Sequence, residues 1–435
     1  MNTSARALLI EAHKVIILRL FSGSLLLLIF FATSAWAVDP DKHISQYAHT
    51  AWRVQDGFFN GAPTAITQTK DGYIWIGTTA GLVRFDGVRF VPWTPPTGKT
   101  LLSSSVFSLL GGSDGSLWIG TGSNLARLKD GELTSYQDAL GRVNSIIEDR
   151  NGTIWFARSR VPDANGPLCQ VIDTKVKCYG KADGITPPYA GPLVQDLQGN
   201  FWIGSSSDLT RWTKDSSTTY VPPGLAAAKG LSGVQAIAAA TDGSLWVGVN
   251  RLGLGLQRLE QGILKPFVVP GFDGRTVEPS ALLLDRDNAL WIGTESHGIY
   301  RFYNGKIDKF VGADGLSSDA ITSFYHDREG NMWVATSEGV DCFRDTRVVS
   351  FSTREGLTAN SISSVLATKD GTIWIGNHGA LDSLRQDNVS SIQAKDGLPG
   401  VRVTSMLEDQ TGRLWVGVDN GLSVYEQGRS RSVTR

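Results

Sequence analysis

The segment Asp71-Gly-Tyr-Ile-Trp75-Ile-Gly-Thr78 decides the architecture, because the 435-residue chain contains it nine times in variant form. Trp75, Trp118, Trp155, Trp202, Trp246, Trp291, Trp333, Trp374 and Trp415 each sit in such a stretch, separated by 43, 37, 47, 44, 45, 42, 41 and 41 residues. Before each tryptophan lies an apolar run, as in Val143-Asn-Ser-Ile-Ile-Glu-Asp149, read as strand A. An Asp-Gly turn, suited to the positive φ of a tight hairpin, leads into the tryptophan strand B. A Gly-Leu strand C such as Gly81-Leu-Val-Arg-Phe85 comes next, then a strand D and a Gly-Leu link (Gly315-Leu316, Gly356-Leu357, Gly397-Leu398) into the next unit. Four short strands per period of about 40–45 residues predict an all-β β-propeller of four-stranded blades.

Alternation along Ile74-Trp75-Ile76-Gly77 puts Trp75 and Gly77 on one sheet face and the isoleucines on the other. Both faces of a blade pack on neighbours, so the tryptophans read as core rather than as stacking platforms for sugars. Gln46-Tyr-Ala-His-Thr-Ala-Trp52-Arg-Val-Gln-Asp-Gly57 precedes the first strand A and resembles a strand D with its exit link. Such a strand can complete the last blade of a ring. Nine blades exceed the usual four to eight. One seven-bladed ring (44–350) followed by two blades of an incomplete second ring (351–435) is the first expectation; an open or eight-bladed arrangement is the second.

Composition narrows the rest. The formal net charge is −1, and removing residues 1–37, which carry Arg6, Lys14, Arg19 and Glu11, would leave about −3. Neither value provides a basic field for nucleic acid or anionic lipid. Hydrophobic residues at 41% and 13 Trp exclude disorder, 49 Gly argue against a helical bundle, and 3 Cys exclude a disulfide-dense or Cys-rich zinc scaffold. Residues 1–37 read as a secretory signal: a basic start, an apolar stretch from Leu20 to Phe31, and Ala35-Trp36-Ala37 as the cleavage pattern. The mature chain is expected in the periplasm or outside the cell, held at the inner membrane only if the natural chain extends to a C-terminal helix. Export permits disulfides. A two-residue turn at Asp173-Thr174 would set Cys169 opposite Cys178 and allow a cross-strand bond, leaving Cys342 as a small buried apolar residue.

The stretch from Gln46 to Trp52, then Asp71 to Thr78, then Gly81-Leu-Val-Arg-Phe-Asp-Gly-Val-Arg-Phe90 resembles the two-component regulator propeller repeat. The resemblance covers about 44–425. Repeat 3 departs through an insertion at 159–167, and repeat 5 through the longer Asn250-Arg-Leu-Gly-Leu-Gly-Leu256. The resemblance implies the exported sensor part of membrane histidine kinases and hybrid kinases, where about fourteen repeats form two rings ahead of an immunoglobulin-like domain, a membrane helix and a cytoplasmic output. No residue here matches kinase motifs, so kinase activity does not carry over.

Catalytic and metal motifs are absent from the sequence: there is no HExxH pair and no Gly-x-Ser-x-Gly elbow. Gly253-Leu-Gly255 lacks the third glycine of a nucleotide loop, and Asp285-Arg-Asp287-Asn288 lacks the glycine and distal glutamate of a calcium loop. No cofactor or metal is expected. The B–C loops vary while the scaffold repeats, which marks them as candidate ligand-binding positions: Arg158, Arg160, Arg251, Glu295, His297 and His378. Arginine suits a carboxylate or an array of sugar hydroxyls.

Three functions follow. The first is a ligand-sensing input domain of a two-component phosphorelay receptor, taking a small molecule or an oligosaccharide and self-associating as a receptor dimer. The alternative is a stand-alone periplasmic propeller that binds a glycan or a protein. A third reading, prompted by similarity to streptogramin lyases, is an enzyme using His297 and His378 on the central face.

Overall fold

A computed structural model describes residues 39–159, 166–187, 189–225, 233–346, 348–385, 388–426 and 429–433. Residues 1–37, read above as a secretory signal, and Arg160 lie outside the described residues. Among the described residues are nine four-stranded antiparallel sheets, eight with each strand paired to the next in chain order and one completed by the N-terminal strand Ala48–Arg53, and one two-stranded ribbon at Val268–Val269 and Phe272–Asp273. The blades span 63–92, 106–136, 142–179, 193–220, 234–266, 279–310, 321–344, 362–392 and 403–433, numbered 1 to 9 below. The protein is an all-β propeller. No helix among the described residues is long and apolar enough to cross a membrane.

Local chemistry explains the repeated A–B turn. In blade 3, Asp149 Oδ1 accepts the backbone N–H groups of Asn151 and Thr153, while Gly152 takes φ +78°. Its other oxygen accepts the Trp155 indole N–H at 2.9 Å. Asp196, Asp285, Asp327 and Asp409 do the same for Trp202, Trp291, Trp333 and Trp415. A buried indole N–H needs an acceptor, and an aspartate six residues earlier supplies it while closing the turn. Asp285 thus belongs to a turn, not to a calcium loop.

Packing between blades explains the glycine two residues after seven of the nine tryptophans, Ala157 and Ala335 standing there in blades 3 and 7. A Cβ built on Gly77 would meet Val106 Cγ1 of the next blade at 2.6 Å; on Gly293 it would meet Ile321 Cγ2 at 2.5 Å. Where the glycine is present, the first apolar residue of the next blade's strand A therefore sits in the notch it leaves. Core clusters accordingly span blade boundaries, with Trp75 packed beside Val106, Leu117 and Ile119.

The ring closes through the N-terminus. Ala48–Arg53 pairs antiparallel with Gly339–Arg344 as the outer strand of blade 7, with Trp52 opposite Val340. Trp52 stacks on Trp333 at 5.7 Å, and Trp333 shares one core with Ile66, Ile74 and Phe85 of blade 1. Across the same junction Thr322 Oγ1 donates to Pro63 O at 3.0 Å. Blades 8 and 9 pack on each other, and the segment leading into blade 8 meets the ring through polar contacts, Arg354 with Asp314 and Ser45 with Glu355.

In blade 3, Cys169 faces Cys178 in register, beside Gln170–Lys177 and Val171–Val176, and the two sulfurs are bonded. Cys342 lies in the core between blades 7 and 1, where burial pushes its thiol up to about 12.

Candidate functional site: the central channel

Strand A carries a β-bulge in every ring blade but the fourth. In blade 1 the register passes from Pro63–Thr78 to Ala65–Gly77, leaving Thr64 unpaired. The equivalent residues are Phe107, Asn144, Gln235, Ser280 and Thr322. A bulge bends its strand and redirects one side chain, and Thr64, Phe107, Asn144, Gln235, Ser280 and Thr322 all line a central cavity of about 570 Å³. Residues from all seven ring blades border it.

Where the bulge residue is Ser or Thr, its hydroxyl ties one blade to the next. Thr64 donates to Val106 O at 2.7 Å, Ser280 to Ile321 O at 2.6 Å, and Thr322 to Pro63 O. The same bond recurs in blade 8, from Ser363 to Val403 O. Blades 2 to 5 depart from this rule with Phe107, Asn144, Gly191 and Gln235. Asn144 keeps the inter-blade bond through its amide, to Ala190 O at 2.7 Å. The channel thus has a uniform wall over blades 6, 7 and 1 and a diversified wall over blades 2 to 5.

On the diversified wall the Arg142 guanidinium stacks over the Phe107 ring at 3.7 Å. Burial raises the Tyr189 phenol, and the positive charge of Arg142 opposes that rise. Opposite, Glu295 of blade 6 lines the cavity. Its N–H donates to Glu278 O at 3.0 Å, and its carboxylate accepts from Asn250 Nδ2 at 3.1 Å. Burial raises the Glu295 carboxyl, and the charge of Glu278 raises it further. No group of three or more His, Cys, Asp or Glu among the described residues is placed to hold a metal. The site offers an aromatic and guanidinium surface, two amides and a carboxylate, which is recognition chemistry.

Of the B–C loop residues named from sequence, Glu295 reaches the channel. Arg158 is a correction: it is 1% exposed and donates to Leu140 O at 2.7 Å and Gly166 O at 3.2 Å, clamping neighbouring loops. Arg251 reaches Gly224 O at 3.4 Å. His297 is exposed, its Nδ1 3.2 Å from Ser296 Oγ. His378 is exposed on blade 8, outside the ring that holds His297, so the two do not meet around one channel. The loops drew attention because they vary visibly; the channel residues hide inside apolar strands. A fixed offset marks them, since each bulge residue lies eleven positions before its tryptophan, as Thr64 does before Trp75 and Gln235 before Trp246.

Comparison with known proteins agrees with this architecture. The two component regulator propeller family model matches residues 57–80, 100–123, 315–338, 356–379 and 397–420. No curated protein sequence matches the chain. Among solved structures, an extracellular domain ascribed to a hybrid two component system of B. thetaiotaomicron is similar over 89% of this chain and 55% of its own, at 20% identity and TM-score 0.68. A second extracellular domain of that organism, ascribed to a one component system, covers 89% of this chain and 53% of its own at 17% identity, TM-score 0.56. Virginiamycin B lyase of Staphylococcus aureus matches over 69% of this chain and 100% of its own at 18% identity, TM-score 0.56. The chain spans about half the length of the two extracellular domains. At these identities the likeness concerns the fold, and the repeat matches concern five segments: the chain is a β-propeller in which blades 1, 2, 7, 8 and 9 carry matches to the two component regulator propeller repeat.

Proposed function

We propose that this chain is the exported, ligand-sensing input region of a two-component receptor, and that its central channel receives a small ligand. Residues 44–350 form the sensing ring, and 351–435 begin a second ring docked on it. Cleavage near Ala37 releases the chain to the periplasm or the extracellular side. Ligand binding favours one arrangement of paired sensors, and the output follows by population shift.

One observation supports the channel above the loops. The residue eleven before the tryptophan is Ser or Thr in blades 6, 7 and 1, and it differs in the four consecutive blades 2 to 5, where Phe107, Asn144 and Gln235 line the cavity. A purely structural position has no reason to change on one side of a ring alone. A cavity of this size lies in the range of small-ligand pockets, about 300–1,000 Å³. Oligosaccharides are the ligand class that the repeat family suggests.

The test is thermal unfolding of the exported chain against a panel of oligosaccharide digests, tripeptide mixtures and small metabolites. A ligand at about a hundredfold its Kd adds about 2.7 kcal/mol to stability. Phe107→Ser and Gln235→Ser, which restore the plain wall, abolish that shift while leaving the unliganded midpoint nearly unchanged. A shift that survives both substitutions places the ligand elsewhere.

A further inference from the structure

Two halves of one interface stand open on the blade 8 and 9 pair. Where blades meet, the back of one, with its tryptophan and glycine notch, receives the front of the next, with the first strand A residue as a knob. Val106 and Ile321 are such knobs, and a Cβ built on Gly120, Gly204 or Gly376 would meet Val143, Val234 or Val403 at 2.8, 2.8 and 2.5 Å. These five knobs are at most 2% exposed. Ile362, the knob of blade 8, is 41% exposed. Gly417 of blade 9 is a notch without a knob, since the atoms nearest its Cβ position belong to Ser405 and Thr404 of its own blade.

The surroundings of knob and notch are complementary in the same way. Val365 and Ile373 are exposed beside Ile362, at the positions of Ile66 and Ile74, which in blade 1 pack against Trp333 of the preceding blade. Leu407 and Leu422 are exposed beside Gly417, at the positions of Thr67 and Leu82. In blade 1, Thr67 accepts the Gly111 N–H of the next blade, and Leu82 shares a core with Val106. The front of blade 8 is therefore made for the back of a blade, and the back of blade 9 for a front. One copy cannot join them, because two blades are too few to close a ring.

We infer that a second copy of this chain joins them: the front of blade 8 in each copy seats on the back of blade 9 in the other. A twofold axis makes both junctions at once, Ile362 of one copy entering the Gly417 notch of its partner and the reverse, and four blades close into the smallest ordinary propeller. The inference rests on the paired-sensor reading for its purpose and not for its geometry. Few side chains are uncovered on each face, so the pairing is reversible, with a Kd of about 10 μM, at the weak end for protein interfaces. Dilute chain keeps both faces open.

The test is sedimentation of the whole exported chain from about 0.1 to 100 μM, a range that brackets this Kd. The mass is expected to double and then stay constant. Ile362→Asp and Gly417→Arg each place a charge in both junctions, and each alone weakens pairing at least about a hundredfold, tenfold per junction. Mixing the two variants restores it, since one junction is then unaltered and the other pairs Asp with Arg. On unaltered protein, amide exchange in strands 362–367 and 421–426 slows with concentration, which keeps the test open if a variant misfolds. A chain that is monomeric throughout overturns the inference, as does growth beyond two copies, pairing that both substitutions leave intact, or protection confined to the seven-bladed ring. Ligand binding in the channel is measured separately, so the failure of either reading leaves the other standing.

Discussion

Blades 1 to 7 and blades 8 and 9 are written in the same repeat, yet the same positions are buried in one group and open in the other. Ile74, before the tryptophan of blade 1, is 4% exposed, and its counterpart Ile373 in blade 8 is 38% exposed. Ile66 is 4% exposed against 63% for Val365. On the far side of the pair, Leu82 is 3% exposed and Leu422 is 37% exposed. A blade has two apolar faces, and only a ring gives each blade two neighbours. Blades 8 and 9 bury the face they share, around Trp374, Val403 and Leu414, and leave the outer two uncovered. Repeat sequence specifies what a blade buries; closure determines whether it is buried.

The sharpest way to break this comparison is at the tryptophans. Trp291→Ala in the ring leaves a large cavity and is expected to cost about 3–5 kcal/mol, while Trp415→Ala, on the uncovered face of blade 9, costs less than about 2 kcal/mol by the same area argument. Denaturant unfolding of the two variants checks the difference, and equal losses would mean the outer face is covered in solution.

A smaller effect is expected at the inter-blade notch. Gly293→Ala drives a methyl into Ile321 of the next blade and costs about 1–3 kcal/mol. Gly417→Ala meets chiefly the Ser405 and Thr404 hydroxyls of its own blade, which can rotate away. Its midpoint should stay within a degree or two of the parent, about the shift that 0.5 kcal/mol produces in a chain this size.

Ring closure itself is tested by Thr322→Val, which removes the hydroxyl bridging blades 7 and 1, and by Ser363→Ala, which removes the equivalent bridge between blades 8 and 9. Each loses one hydrogen bond, about 1 kcal/mol. Native-state proteolysis should distinguish them, because opening the ring frees the N-terminal strand Ala48–Arg53 and opening the pair does not. Below these in size is the polar contact between the two groups. Arg354→Ala deletes its pairing with Asp314 and is worth about 0–1 kcal/mol, but it should speed protease clipping between 346 and 362 and make that rate less salt-dependent.

The smallest effect is a pH dependence in the N-terminal docking. Its hydrogen bond to Asp308 raises the His43 imidazole above its usual value, and the backbone N–H of Ile44 bonds the same carboxylate. A raised folded value means the contribution is whole below the unfolded pKa of about 6.5 and is lost as pH climbs through the folded one. The midpoint should therefore fall slightly between pH 6 and 8 relative to His43→Gln. An identical pH profile in the variant would remove the ion pair from the account.

Much of this was legible in residue order. Trp75 and Gly77 on one face, aspartate six residues before most tryptophans, and a stray strand D at Gln46–Gly57 are all local or periodic signals, and each corresponds to a contact within one blade or between sequence neighbours. Arg158 shows where that reasoning fails. A loop arginine looked like a ligand contact, and only packing revealed that it clamps the carbonyls of Leu140 and Gly166. The channel residues escaped for the complementary reason. Asn144 and Gln235 sit inside strands that otherwise follow the apolar pattern, and their exposure to the cavity comes from a bulge, a two-strand register event that no single strand displays.

Sequence alone thus determined the repeat, the blade and the tryptophan core, because short-range periodicity selects strand, turn and buried face without reference to the rest of the chain. Tertiary structure decided the site. Closing the ring brings Arg142 and Glu295 to opposite walls of one cavity, although 153 residues separate them in the chain. That meeting depends on how seven sheets pack and close, and charge placed by closure has no local signature in the sequence.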